Sequence, residues 1–249
     1  MTKIYHSILC LIFLIGTSAF AQDAREIIKK SDDILRGTSL QADMTFKIIR
    51  PKYTREMNAK VWTKGTDYSL ILIMSPVKDK GTAYLKRKKE VWSWLPTLER
   101  VIKLPPSMMS QSWMGTDFTN DDLVKESSTV DDYTHILLGS EIIDERDCYK
   151  IEMKPKPQTA VVWEKVLVWV DKKDYLQLKS EFYDEDGKLL NTLVGKDIKK
   201  MDDRHLPSRL EMTPADKPGQ KTVIIYNSML FNRPIKDNFF TSDNMKTVK

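Results

Sequence analysis

The chain has 249 residues with a formal net charge of +5, from 40 Lys and Arg against 35 Asp and Glu, and 41% of it is hydrophobic. That is enough chain for one large all-β domain with its own apolar core. The charge excess is small and spread, apart from Lys86 to Lys89 between two strand-like runs, so the composition argues against a nucleic-acid-binding protein.

The first residues read as a secretory signal. Lys3 supplies the charge, Ile8 to Ile15 the apolar stretch, and Ala19-Phe20-Ala21 the small-residue cleavage pattern, which places the mature start at Gln22. The apolar run is too short to span a bilayer. Cys10 lies inside it, so cleavage leaves Cys148 alone and the mature chain without an internal disulfide. Asp23 to Arg36 follows as an amphipathic helix, with Ile27, Ile28, Ile34 and Leu35 on one face, Asp23 as its cap and Gly37 as its stop.

From Ser39 the period becomes two. Leu40, Ala42, Met44, Phe46 and Ile48 alternate with mostly polar residues as far as Pro51, and Met57, Ala59 and Val61 form a second such run. Tyr68 to Met74 is apolar throughout, as in a strand shielded on both faces. Thr82 to Lys86 is a further strand. In the next, Trp92 and Trp94 stand together on one face, before a turn at Pro96. A second extended segment, Arg100 to Leu104, stops at Pro105-Pro106.

The following stretch has no period and holds Met108, Met109, Trp113, Met114 and Phe118. Loops are normally polar because they run over the surface. This one either plugs one end of the fold or covers a cavity for an apolar ligand, a use that suits flexible methionine. Beyond Leu123, short strands and acidic or glycine turns resume as far as Met229, and Phe239 and Phe240 anchor the tail. The pattern predicts a mainly β fold with few helices (α+β): a strongly curved antiparallel sheet or half-open barrel, with a helix and loop covering the concave face. A single domain is expected over residues 22–249, after a signal peptide at 1–21.

Catalytic and metal-binding patterns are missing from the sequence. His135 and His205 belong to no zinc-ligand spacing, and there is no G-x-S-x-G elbow. Asp117, Asp121 and Asp122 read as caps or partners for cations such as Arg100 and Lys103, and Cys148 as a small structural hydrophobe. We therefore expect no enzyme activity, no metal and no cofactor. The six tryptophans sit mostly among aliphatic residues in strands, as core or cavity lining rather than a carbohydrate platform.

The segment from Leu85 to Leu123 resembles the signature of the outer-membrane lipoprotein-sorting protein family, whose fold is related to the Lol carriers LolA and LolB. The likeness is carried by Trp92, Trp94, Leu95 and Pro96, by Arg100 and Lys103, and by the run Ser112, Gly115, Asp117, Phe118, Asp122 and Leu123. Cys148 to Ile151, VLVWVDKKDY, EFYDEDGKLL and HLPSRLEM are similar to later family blocks. Met108 and Met109 depart from the more polar family pattern. The resemblance implies a periplasmic carrier of lipid or lipoprotein acyl chains moving toward the outer membrane, and an exporter of the resistance-nodulation-division (RND) type as a possible partner. On this reading Tyr68, Trp92 and Trp94 line the sheet, and Met108, Met109, Trp113, Met114 and Phe118 form the cover. Asp117 and Arg100, with Lys103 and Asp122, close the cover or meet a partner. The alternative is an accessory subunit that docks on such an exporter and carries nothing, its cavity filled by its own side chains.

Overall fold

The computed structural model describes residues 17–125, 128–157, 159, 161 and 163–249, so most of the expected signal segment, with Cys10, lies outside the described residues. The first helix, α1, runs over Thr17–Arg36. It starts before the expected cap, leaving Asp23 inside the helix. Its end is as expected: Gly37 takes φ +61°, and its N–H closes onto the Asp33 carbonyl at 2.9 Å.

Thirteen antiparallel strands follow among the described residues. Strands β1 (Ser39–Arg50), β2 (Tyr53–Lys64), β3 (Tyr68–Ser75), β4 (Ala83–Arg87), β5 (Glu90–Leu95) and β6 (Arg100–Lys103) form one meander. A second meander comprises β7 (Tyr133–Ile143), β8 (Arg146–Pro155), β9 (Lys165–Asp171), β10 (Gln177–Tyr183), β11 (Leu189–Met201), β12 (Arg204–Pro214) and β13 (Lys221–Phe231). Every pairing joins sequence neighbours except β1 with β13, which unites the meanders into one sheet ordered β6-β5-β4-β3-β2-β1-β13-β12-β11-β10-β9-β8-β7. The sheet is curved and unclosed, as the sequence pattern predicts. Because β6 and β7 occupy its two edges, the chain between them must cross from one edge to the other, and its described residues, 104–125 and 128–132, lie over the concave face.

The concave face is buried in two patches. Ala24, Ile27 and Ile28 of α1 pack on Tyr133, Ile151, Met153, Val166 and Val168. Met109, Trp113 and Phe118 of the crossing segment pack with Phe46, Ile48, Met57, Ile71, Ile73 and Val91. Strand β3 is shielded on both faces, as its unbroken apolar run requires: Ile71 and Ile73 face this patch, while Leu70 and Leu72 face the C-terminal tail. The tail carries helix α2 (Ser242–Thr247) and lays Phe240 and Met245 across the convex face of β3 and β4. Phe240 stacks on Tyr68 with ring centroids 5.3 Å apart.

Phe240 is fully buried, so Phe240→Ala should cost about 3–5 kcal/mol of stability in denaturant unfolding. Exposed Leu98→Ala, at 58% accessibility, should change stability by less than about 0.5 kcal/mol.

Candidate functional site

The two covers touch where Arg25 of α1 pairs with Asp131 at 2.8 Å, but a gap stays open beside that contact. Between α1 and the segment's end lies a cavity of about 270 Å³, close to the lower end of the roughly 300–1,000 Å³ typical of ligand sites. Its floor is the middle of the second meander and the strand beside it: Leu178, Leu206, Leu210, Met212, Ile224 and Met44. Ile28 and Ile34 of α1 form one wall, and Phe118 with Asp121, Asp122 and Leu123 forms the other. Leu35 lines the cavity and is 38% exposed, so the space meets solvent beside it. Asp32 and Arg36, paired at 2.9 Å, add charge at the α1 side.

The crossing segment is a folded unit. Trp113 N–H donates to the Phe118 carbonyl at 2.8 Å, Asn120 N–H to Gln111 at 2.9 Å, and Asp121 N–H to Met109 at 2.9 Å. Met114 and Gly115 both take positive φ, at +49° and +76°, turning the chain back. Inside, Trp113 is fully buried, 5.0 Å from the Phe46 ring and 5.6 Å from Tyr84. Its indole N–H has no hydrogen-bond partner among the described residues; an orphaned buried donor costs about 1–3 kcal/mol.

Polar contacts fasten the segment to the central strands. Arg50 at the end of β1 pairs with Asp117 at 3.0 Å and donates to the Gly115 carbonyl at 2.8 Å. Arg55 of β2 donates to the Met114 carbonyl. Thr222 of β13 donates from Oγ1 to Asp117 at 2.6 Å and accepts from the Asp117 N–H at 2.9 Å. These contacts correct the sequence reading, which paired Asp117 with Arg100. Arg100 is exposed on the edge strand and makes no ion pair among the described residues, and Lys103 pairs with Glu90 instead. Arg50 was hidden by the ordinary look of a strand-terminal arginine; only the β1–β13 pairing sets it beside the segment.

Asp122 behaves as a local cap. Its Oδ2 accepts from the Thr119 N–H at 2.7 Å and from Thr119 Oγ1 at 2.8 Å. Burial raises its carboxyl to about 6 despite those bonds, and nearby Asp121 adds to the rise.

The expected lining residues divide between the two faces. Trp92 and Trp94 do share a face, but it is the convex one. The register Trp62–Leu70–Leu85–Trp92 runs across the sheet under the tail, and Tyr68 lies there too, against Phe240. The period of two put the indoles together without saying which side becomes concave. Trp94 instead borders a hollow of about 510 Å³ against Met245, Lys246 and Glu99, with a more polar rim than the concave cavity. Met109, Trp113 and Phe118 are buried on the concave side, while Met108 and Met114 are half-buried. Phe118 and Asp122, alone among the expected residues, border the cavity. The aliphatic floor was missed because Leu178, Leu206, Met212 and Ile224 look like ordinary strand residues.

Elsewhere the polar groups have structural surroundings. His135 sits 2.7 Å from the Thr129 carbonyl, and burial lowers its pKa. Cys148 is fully buried, and desolvation pushes its thiol up to about 11. No helix among the described residues is long and apolar enough to cross a membrane, and no cluster of three or more metal-ligating side chains occurs among them.

A curved, unclosed antiparallel sheet with covers over its hollow side is the architecture of the LolA superfamily. A LolA superfamily protein from Nitrosomonas europaea is similar at 28% identity over 89% of this chain and 98% of that one, with a TM-score of 0.77. A putative outer membrane lipoprotein-sorting protein domain from Vibrio parahaemolyticus is 26% identical over 91% of this chain and 99% of that one, with a TM-score of 0.79. A DUF1329 family protein from Desulfovibrio piger, 23% identical over 91% and 99% of the two chains, shares the fold with a TM-score of 0.83. The model of a family described as "Uncharacterized protein" matches residues 65–247, and the chain belongs to that family. No curated protein matches the chain.

Two outcomes follow from the geometry. Arg50→Met leaves Asp117 buried and unpaired, so it should cost roughly 3 kcal/mol, partly restored in Arg50→Met/Asp117→Asn, as read by chemical denaturation. Asp122 has a folded-state pKa above the ordinary 3.8, so the unfolded chain ionises first as pH rises. Stability should fall between about pH 4 and pH 6 and stay lower above that window, and Asp122→Asn should flatten this dependence while keeping the cap.

Proposed function

We propose that the protein is a periplasmic carrier, exported by its signal peptide, that shelters an acyl chain of a lipid or lipoprotein on its way toward the outer membrane. The observation that carries this reading is the aliphatic cavity between α1 and the crossing segment. Exposing an acyl chain to water costs about 0.8 kcal/mol per methylene, so a long chain needs such a shelter to travel. Similarity to a LolA superfamily protein and to a lipoprotein-sorting domain supports the same class of cargo. No covalent chemistry is needed. The cavity suits part of one chain, and further room would come from movement of the segment, which is fastened around Asp117 in its middle and at Asp131 and Asp132 near its end.

The depth of Met109, Trp113 and Phe118 favours a second reading: an accessory subunit, docked on an RND-type exporter, whose hollow is filled by its own side chains. The two readings differ in what the cavity does. Leu178→Trp fills its floor and should abolish uptake of a fluorescent fatty acid without unfolding the protein. Trp94→Ala, on the convex face, should leave uptake unchanged. Native mass spectrometry of the protein from the periplasm should find a bound amphiphile. If none is found, and neither the wild type nor Trp94→Ala takes up the probe, carriage is excluded and the accessory reading stands.

A further inference from the structure

The cationic run at Lys86 to Lys89 is the sequence feature that neither the fold nor the cavity uses. Lys86 is buried in β4 and donates to the Thr66 carbonyl at 2.5 Å, so it belongs to the fold. Arg87, Lys88 and Lys89 are different. Arg87 pairs across the β4–β5 hairpin with Glu90, making Lys88-Lys89 a two-residue loop, and all three cations are exposed. None forms an ion pair among the described residues. Glu90, the nearest acid in sequence, is taken by Lys103, while Asp67 of the neighbouring β2–β3 turn meets the hairpin only through its carbonyl, which accepts from Lys88 N–H at 2.6 Å.

The contrast with the rest of the surface is chemical. The pair Lys172 and Lys173, by comparison, lies between Asp171 and Asp174, and Lys172 pairs with Asp147 at 2.8 Å. Lys199 and Lys200 are exposed like the hairpin cations but are two rather than three and lie on a strand rather than at a loop tip. At the same end of the sheet as the hairpin, Lys64 is held by Asp237. Lys88 also takes φ +56°. A two-residue hairpin loop favours Asn or Gly in that conformation, and a long side chain there carries a local penalty. Folding alone is therefore served less well by lysine than by asparagine at this position. The hairpin also stands where the crossing segment sets out, since Leu104 N–H donates to the Val91 carbonyl at 2.9 Å and the exposed Pro105, Pro106 and Ser107 follow.

We propose that the Arg87-Lys88-Lys89 hairpin tip docks the protein reversibly on the anionic phospholipid surface of a membrane, presenting the end of the sheet from which the crossing segment leaves. Three cations without counter-ions provide the attraction, and the lack of an exposed apolar wedge among them makes the contact one of charge rather than insertion. Each cation near an anionic leaflet is worth roughly fivefold in partition, so the three together account for about 100-fold. The inference stands independently of the carrier reading, because vesicle binding and fatty-acid uptake are separate measurements.

The test is co-sedimentation of the mature chain with vesicles of phosphatidylcholine, with or without one-third phosphatidylglycerol. Wild type should bind the anionic vesicles at low salt, ignore the neutral ones, and be released by about 0.5 M salt, which shortens the reach of charge below the usual ~10 Å. Arg87→Ser/Lys88→Asn/Lys89→Ser should lose about 100-fold in partition, with an unfolding transition no lower than that of the wild type, because all three side chains are exposed and asparagine suits the positive φ at position 88. Lys199→Ser/Lys200→Ser/Lys217→Ser, which removes the same charge elsewhere, should bind as wild type. If wild type fails to bind anionic vesicles at low salt, the proposal is overturned and the hairpin is left for an acidic protein surface. Equal loss in both triple variants also overturns it, since net charge would then suffice.

Discussion

The pairing of β1 with β13 is the constraint on which the remaining architecture depends. It fuses two meanders back to back and sends β6 and β7 to opposite edges of one sheet. A chain that must pass from edge to edge of a curved sheet crosses its hollow side, and backbone buried there has to satisfy its own polar groups. The crossing segment does this with internal turns and bonds, and spends its side chains, Met109, Trp113 and Phe118, on the sheet beneath. The same pairing brings Thr222 and Arg50 together at Asp117, so the joint between the meanders also fastens the cover.

Covering a broad curved sheet takes more apolar material than one loop provides, and here the work is divided. Helix α1 covers the strands of the second meander, the crossing segment covers the first, and the C-terminal tail seals the outer face of β3 and β4. The aliphatic space is the gap left between the first two beside the Arg25–Asp131 contact. Its walls come from separate covers rather than one continuous sheet, so its size depends on their separation. Chemistry is sparse around it. The Asp32–Arg36 pair on one wall, Asp121 and Asp122 on the other, and Lys179 are the charged groups on which orientation of an amphiphile would depend.

Much of this was legible in the chain. The alternation in β1, the unbroken apolar run of β3, the glycine stop of α1 and the tail anchored by Phe240 are local consequences of spacing, and local rules recover them. Trp113 and Phe118 are buried for a similarly local reason: a loop of large apolar side chains has to be buried somewhere. Tyr68, Trp92 and Trp94 were placed on the wrong side because alternation fixes which residues share a face but not the direction in which the sheet bends.

The sequence by itself determined the strands, their two-sided patterning, the terminal helix and the presence of an apolar crossing segment, since each is encoded within a dozen residues by propensity and period. Tertiary structure decided the rest: which face became concave, that Arg50 rather than Arg100 meets Asp117, and that Leu178, Met212 and Ile224 frame a space with Ile28. Those relations join residues at least 67 positions apart, and they exist only once the two meanders are joined and the sheet has curled.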